Sequence, residues 1–505
     1  MASFNRRTFL KGITAVSAAA AAGGCVSKCA TVAIHRRKPG EKLNVGVIGA
    51  GGKGHTDWTK IFEHGENIVA MCDVDDAVLD GELAAYQKLG GDPSKVKRYR
   101  DYRKMIEENP SLDAVTISTP DHMHAAQAVM AMQSGMNVYV QKPLVRTLWE
   151  VKRFAEVARE TGAITQMGTQ GTAGVGHRSK VELLQQGVIG DVTEVHVWTN
   201  RPIWPQGNLA KQLSQLPTVA VPKTLDWDLW LGTAKCRGYI GDRPDKDYGF
   251  PPYCAKIHGV YHRFNWRGFF DFGTGAFGDM ACHTMNLPFR GLELGKVLSA
   301  ECRQIVEKND VAYPVKSQVE VIYAERKSRV RRGVTLPKVK LVWYDGNQQP
   351  AAELMPQYVA TFGKVPQTGC LIIGSKGVMV STNDYGQEAL IALKGEQKVK
   401  GTLKHEACKA IPEIIFKSPI KQDLDYVNKA EFCDAIKGVG NVYDMTQSMC
   451  FADTAHSIPM LEGMLVGCIA QRVEGKIGWD SDNAVFDSKA ANDLYRPYIR
   501  GGWEF

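Results

Sequence analysis

Leu43-Asn44-Val45-Gly46-Val47-Ile48-Gly49-Ala50-Gly51-Gly52-Lys53-Gly54 begins as a short β-rich run and ends in a G-x-G-x-x-G turn ahead of a helical pattern. A glycine-rich turn alone is a weak signal, because it can be only a turn. Its surroundings make it informative. Ile68-Val69-Ala70-Met71-Cys72-Asp73 reads as a second apolar strand, and Asp73 follows Gly49 by 24 residues. That is near the spacing at which an acid at the end of strand two bonds the ribose hydroxyls of a dinucleotide. Glycines let the backbone approach a pyrophosphate, whose charge then rests on a helix N-terminus. Gly49, Gly51, Gly52, Gly54 and Asp73 are therefore the expected cofactor-binding residues. A carboxylate at Asp73, with Asp75 beside it, repels a 2′-phosphate, so NAD is favoured over NADP.

Working outward, the alternation continues. Helix Asp76 to Lys88, strand Val96 to Tyr99, a helix from Tyr102 and strand Ala114 to Ser118 come first. Helix Ala125 to Ser134, strand Asn137 to Val140, helix Leu148 to Glu160 and strand Ala163 to Met167 follow. This predicts a doubly wound parallel sheet. Ligands of such sheets bind at the carboxyl ends of the strands. That rule directs attention to Thr119-Pro120-Asp121-His122-Met123-His124 and to Gln141-Lys142-Pro143. Thr119, Pro120, His124, Gln141 and Lys142 are expected beside the cofactor, with His124 capping the following helix or touching the nucleotide; His122 reads equally well as surface. After Gln170 a helix near Val175 to Gln186 gives way to strands Val192 to Trp198, Gln318 to Tyr323 and Val339 to Trp343, which suit an antiparallel sheet with one covered face. The aromatic, Pro/Gly-rich stretch from Thr199 to Asn265 has so little pattern that it reads as a binding lid. Most of its tryptophans are expected in the core, leaving Tyr261, Arg263, Trp266 and Arg267 for the substrate. Asp444 to Val473 reads as core helix, and Cys433, Cys450 and Cys468 as small buried hydrophobes.

Composition excludes other classes. The chain has 505 residues, 62 Lys+Arg and 54 Asp+Glu, a formal net charge of +8. Seven of the basic residues lie in positions 1–40, which hold no acid; the remainder is 55 against 54, or +1. The body is near neutral, which argues against a nucleic-acid partner. The basic start, Asn5-Arg6-Arg7-Thr8-Phe9-Leu10-Lys11 followed by an alanine-rich run to Gly24, reads as a twin-arginine export signal. The run is too short to span a bilayer. Ala22-Gly23-Gly24-Cys25 resembles a lipoprotein cleavage site, so membrane contact is expected only through the signal or a lipid on Cys25, and the location is periplasmic. Val26 to Gly40 reads as an exposed linker. The expected division is residues 1–40 signal and linker, 41–168 cofactor domain and 169–505 substrate domain.

VGVIGAGGKG, DAVTISTPDHMH, a strand ending in QKP and GTGAFGDMACH together resemble the glucose-fructose oxidoreductase/inositol dehydrogenase (Gfo/Idh/MocA) family. WTNRPIWPQG, WDLWLG, YHRFNWRGFFDFG and WDSDN…YRPYIRGGWEF look like its exported, sugar-oxidising branch. The resemblance implies an α/β protein: an N-terminal Rossmann domain, then an α/β domain on a large open, mainly antiparallel sheet. It further implies that the substrate lies between the two and that the protein is a homo-oligomer, a dimer or tetramer. It also implies Lys142, Asp279 and His283 as catalytic residues. Gln141 stands where the family usually has Glu, and Asn286 where it has a further acid. Chemistry supports the triad independently. Oxidising a carbinol needs a base for the hydroxyl proton and a cation for the developing alkoxide. Asp279 and His283 are four residues apart on one helical face, with Asn286 on the same stripe. His283 is the expected base, Asp279 its orienter, Lys142 the polarising group and Asn286 a substrate contact. No metal is expected: His122-x-His124 lacks the converging ligands a site needs. Three functions stay open: an NAD-dependent oxidoreductase acting on a sugar, glycoside or cyclitol; an NAD-dependent glycosidase or lyase working through a transient keto-sugar; or an inactive sugar-binding relative.

Overall fold

The computed structural model describes residues 32–241, 259–439 and 450–505. The export motif, Cys25 and the start of the Asp444 to Val473 run lie outside the described residues.

Six strands, β1 (Asn44–Ile48), β2 (Asn67–Cys72), β3 (Lys97–Tyr99), β4 (Ala114–Ile117), β5 (Asn137–Gln141) and β6 (Thr165–Gly168), form one parallel sheet in the order 3-2-1-4-5-6. Helices α1 (Lys53–Glu63), α2 (Asp76–Lys88), α3 (Tyr102–Glu108), α4 (Asp121–Gln133) and α5 (Leu148–Thr161) join them. Central strands β4 and β5 are buried at every residue, as a sheet covered on both faces requires. The edge strand β3 is short and polar, which discourages further pairing. Helix starts follow side-chain caps: Asp75 accepts from Ala77 N, and Thr147 with Glu150 completes a capping box on α5. Helix α4 starts at Asp121, four residues before the expected Ala125, because Pro120 serves as its N-cap with an extended ψ of 150°. His122 and His124 therefore lie on the helix.

The described part of the expected exposed linker is docked. Arg37 pairs with Asp113 at 2.9 Å, Arg36 donates to Asn137 and to Gly162 O, and His35 Nδ1 lies 2.7 Å from Leu112 O. The basic residues of this segment serve the N-terminal edge of the parallel sheet.

The second sheet has ten strands. These are β7 (Val192–Trp198), β8 (Val297–Val306), β9 (Lys316–Tyr323), β12 (Val339–Tyr344), β13 (Gly369–Gly374), β14 (Gly377–Ser381), β15 (Ala389–Leu393), β16 (Lys400–Gly401), β17 (Lys476–Asp480) and β18 (Val485–Phe486). Arg326–Lys327 (β10) and Thr335–Leu336 (β11) form a separate ribbon. The order is 16-15-14-13-7-12-9-8-17-18, antiparallel except for the parallel pair of β7 and β12. Helices α6 (Val175–Gln185), α7 (Gly275–Thr284) and α9 (Thr454–Ala470) contribute to the main core, in which Phe277 of α7 stacks on Trp343 at 4.6 Å. The expectation of one covered face is too simple. Trp198, Val342, Tyr344, Leu371 and Val380 on the other face form a second core with Met355 and Tyr358.

Helix α8 (Leu424–Ile436) follows the second sheet in sequence yet packs on α1 of the first. Its fully buried Lys429 pairs with Asp57 at 3.0 Å and Asp425 at 2.6 Å, and Tyr139 of β5 donates to its Asn428 at 2.7 Å. Its Phe432 and Cys433 join the core under β1 and β2.

Candidate active site

A cleft of about 680 Å³ opens along the carboxyl ends of β1, β2, β4 and β5. Gly49, Gly51 and Gly52 line one side, and Gly52 ends as the N-cap of α1, whose first turn has no side-chain cap. A helix start without a side-chain cap, facing the cleft, is a place for an anion. The glycines are required sterically. Gly49 has φ +78°, and a Cβ on Gly54 would lie 1.9 Å from Gly49 O. Gly54 itself is buried against that carbonyl and tightens the turn without lining the cleft. A backbone this close to open space fits a nucleotide pyrophosphate.

Asp73 lines the same cleft, and its carboxylate accepts from Ala50 N at 3.0 Å, Gly51 N at 3.4 Å and Asp75 N at 3.1 Å. Burial pushes its pKa up to about 6 against those three donors. It thus braces the glycine loop in addition to facing the ribose position. Thr119, Pro120, Gln141 and Lys142 line the cleft as expected from their strand ends. Gln141 donates from Nε2 to Asp57 Oδ2 at 2.8 Å. An ionised Glu there could only accept, and would face the buried Asp57 carboxylate; the amide in this position has a direct physical reason.

Lys142 is the centre of the charged cluster. Its Nζ lies 2.8 Å from Asp279 Oδ1 and donates to Asp279 O at 3.0 Å. Arg267 Nε reaches the same Oδ1 at 3.3 Å, with its guanidinium over Trp266 and Phe264 at 4.3 and 4.1 Å. Burial alone would raise the Asp279 pKa, but Lys142 and Arg267 together outweigh it and hold the carboxyl below the usual range. Two cations on one carboxylate leave positive character at the cleft wall, which Lys142 and Arg267 line. His283 sits one turn after Asp279 on α7, buried, with Nδ1 lacking a hydrogen-bond partner. Burial, then the charge of Lys142, depresses its pKa to about 3, so the ring is neutral.

Four expectations are corrected. Tyr261 is packed between Phe269 and Phe272 at 4.7 and 5.1 Å and does not line the cleft. Asn286 bonds His456 at 3.1 Å and Cys282 O at 3.2 Å and is buried in the interior. His124 neither caps α4 nor faces the nucleotide: its two ring nitrogens lie 2.8 Å from Pro143 O and Thr119 O, bracing both cleft loops. His122 is fully buried beside Phe272 and Trp230. Arg263, Trp266 and Arg267 do line the cleft.

Three residues of the site were not singled out from the sequence. Asp121, next to Pro120, lines the cleft and accepts from Thr274 at 3.0 Å; burial and the nearby Asp279 push its pKa up to about 7. Lys53, inside the glycine motif, pairs with Asp425 of α8 at 2.6 Å. Tyr385, on the β14–β15 connection, sets its ring edge-on to His283 at 5.1 Å and accepts from Gln170 at 3.2 Å. Only the Asp121 position carried a readable signal, its place at a strand end. Among the described residues no cluster of three His, Cys, Asp or Glu could hold a metal, and no helix is long and apolar enough to cross a membrane.

Residues 43–169 match the family model described as oxidoreductase family, NAD-binding Rossmann fold. A glycosyl hydrolase family 109 protein of Shewanella sp. (strain W3-18-1) is 28% identical over 213 residues, covering 38% of this chain and 45% of that protein. Another, from Shewanella pealeana, is 30% identical over 157 residues, covering 30% and 34%. The chain thus spans less than half the length of the curated relatives it matches. Among solved structures, an inositol dehydrogenase homolog complexed with NAD+ from Azotobacter vinelandii shares the fold at a TM-score of 0.55, with 16% identity over 88% of this chain and 100% of that one. The WlbA dehydrogenase from Bordetella pertussis, in complex with NADH and UDP-GlcNAcA, does so at 0.53, with 15% identity over 87% and 99%. The glycine loop, its acid and the 3-2-1-4-5-6 sheet agree with that match, which identifies residues 43–169 as an NAD-binding Rossmann domain of the Gfo/Idh/MocA oxidoreductase type.

Proposed function

We propose that the protein is an NAD-dependent enzyme that oxidises or reduces a hydroxyl-bearing carbon of a sugar, glycoside or cyclitol. The observation that carries this is the Lys142–Asp279–Arg267 cluster, whose Lys142 and Arg267 line the same cleft as the glycine loop, with His283 one turn after Asp279. Bound nicotinamide would supply the hydride acceptor or donor. Gly49, Gly51, Gly52, Asp73, Thr119 and Gln141 would hold the nucleotide. Lys142 presents positive charge where the alkoxide develops. A neutral His283 is the form able to accept the hydroxyl proton, and anionic Asp279 offsets the imidazolium that results. Arg267 keeps Asp279 ionised, so the carboxyl does not compete for that proton.

A second reading is favoured by the glycosyl hydrolase family 109 relatives. Here the same oxidation is transient: the keto-sugar acidifies the neighbouring C–H, the glycosidic bond is eliminated and the hydride returns with no net redox. The basic leader supports export, and an exported enzyme must keep its cofactor and restore it within the cycle or on a second substrate. One experiment separates the readings. Denaturing the purified protein identifies any released nucleotide, and a panel of glycosides, sugars and cyclitols is followed for both nicotinamide absorbance and liberated sugar. Lasting reduction without cleavage supports the oxidoreductase, cleavage without net reduction supports the glycosidase, and neither with any compound counts against both.

A further inference from the structure

The cleft has a wall that its Rossmann motifs do not supply. Trp503, more than four hundred residues after the glycine loop, lines it beside Asp73, Arg100, Asp101 and Tyr102. In a doubly wound sheet the acid after β2 marks the adenosine end of a dinucleotide. The indole is therefore at the end of the cleft remote from Lys142.

Trp503 is held there from both sides. The Arg103 guanidinium lies 4.1 Å from its ring centroid, with Asp101 fixing Arg103 at 2.6 Å, and Tyr102 is tilted against it at 6.4 Å. Its backbone N–H donates to Arg500 O at 3.0 Å. Arg500 pairs with Asp228 at 2.5 Å and donates from its backbone to Thr233 O at 3.0 Å. The segment is thus pinned to the second domain by Arg500 and laid on the first by Trp503, whose side chain is only 8% exposed. A buried indole placed by this many contacts, with the Arg500 guanidinium also 5.2 Å from its ring centroid, lines the cleft as a preorganised wall for a flat heteroaromatic base.

We infer that Trp503 is the adenine-side wall of the nucleotide site and slows cofactor release. This rests on the NAD-binding reading. It would let an enzyme keep one nucleotide through many turnovers.

The test uses the full chain with NADH and with reduced nicotinamide mononucleotide, which lacks the adenosine. Trp503→Ala is compared with Trp503→Phe, which keeps an aromatic face. NADH release, followed by its own fluorescence after dilution into excess NAD+, is expected to quicken about tenfold or more in Trp503→Ala, the scale of one lost base–aromatic stack. Trp503→Phe should stay within about threefold of the native rate, and affinity for the mononucleotide should not change in either. Equal NADH release in all three proteins overturns the inference, as does equal weakening of NADH and mononucleotide, which would mean general loosening. If the native protein binds neither, the nucleotide reading fails and this inference fails with it.

Discussion

Replacing Lys142 with Met removes one of two cations from a buried carboxylate while keeping most of the aliphatic stem. Lys142 Nζ is 2.8 Å from Asp279 Oδ1, and Arg267 Nε remains at 3.3 Å. Stripping a buried charge of its sole partner costs roughly 3–5 kcal/mol, so the surviving Arg267 should hold the folding penalty near about 2 kcal/mol. Catalysis should suffer more. If Lys142 faces the developing alkoxide, its loss removes an interaction made mainly in the transition state, worth about 10²–10³ in kcat. The assay is steady-state turnover on whichever compound of the panel is active, with Tm and NADH affinity measured on the same samples. Expected is a loss of at least about a hundredfold in kcat, with a modest drop in Tm and nucleotide affinity near native. Asp279→Asn tests the same cluster from the other side, since it frees Lys142 and Arg267 of their shared anion. Should Lys142→Met keep kcat within about tenfold of native while folded and nucleotide-loaded, the electrostatic role assigned to Lys142 is wrong.

Other consequences of the geometry can be checked together. His283→Ala should lower kcat by about 10²-fold or more, the usual scale for a lost general base. Because burial depresses His283 to about 3, native activity should show no titration near 6.5 from this ring; a limb there that disappears in His283→Ala refutes the neutral-base assignment. Asp121, raised to about 7, should instead give a limb near neutrality that Asp121→Asn abolishes. The sign for stability follows from linkage. Asp121 holds its proton in the folded state, so its contribution is fully present below the unfolded pKa of about 4 and is lost as pH rises through about 7. Asp121→Asn should therefore stabilise the protein relative to native above pH 7 by up to roughly 4 kcal/mol, at about 1.4 kcal/mol per pKa unit, and little at pH 4; a pH-independent difference in Tm counts against it. Gly54→Ala, whose new carbon would sit 1.9 Å from Gly49 O, should abolish nucleotide retention; unaltered retention would show that the loop yields more readily than its packing implies.

The local sequence determined the first sheet because its signals are local. Apolar runs, strand-end acids and capping residues act within a few positions, and the order of strands follows from right-handed crossovers between neighbours. The cleft residues on strand ends, Thr119, Pro120, Gln141 and Lys142, were readable for the same reason, and so was the shared face of Asp279 and His283. What the sequence could not supply depends on contacts across hundreds of residues. Asn286 follows the helical stripe of Asp279 and His283, but its amide is taken by His456, 170 residues along the chain. Tyr261 has the composition of a sugar-binding residue, yet Phe269 and Phe272 enclose it. The glutamine at 141 has a reason only once Asp57 and Lys429 are brought against it. Trp503 lines the same cleft as a glycine loop far away in the sequence. Periodicity specifies which face a residue takes within its own element; which distant element meets that face is set by packing, and only the tertiary structure decided it.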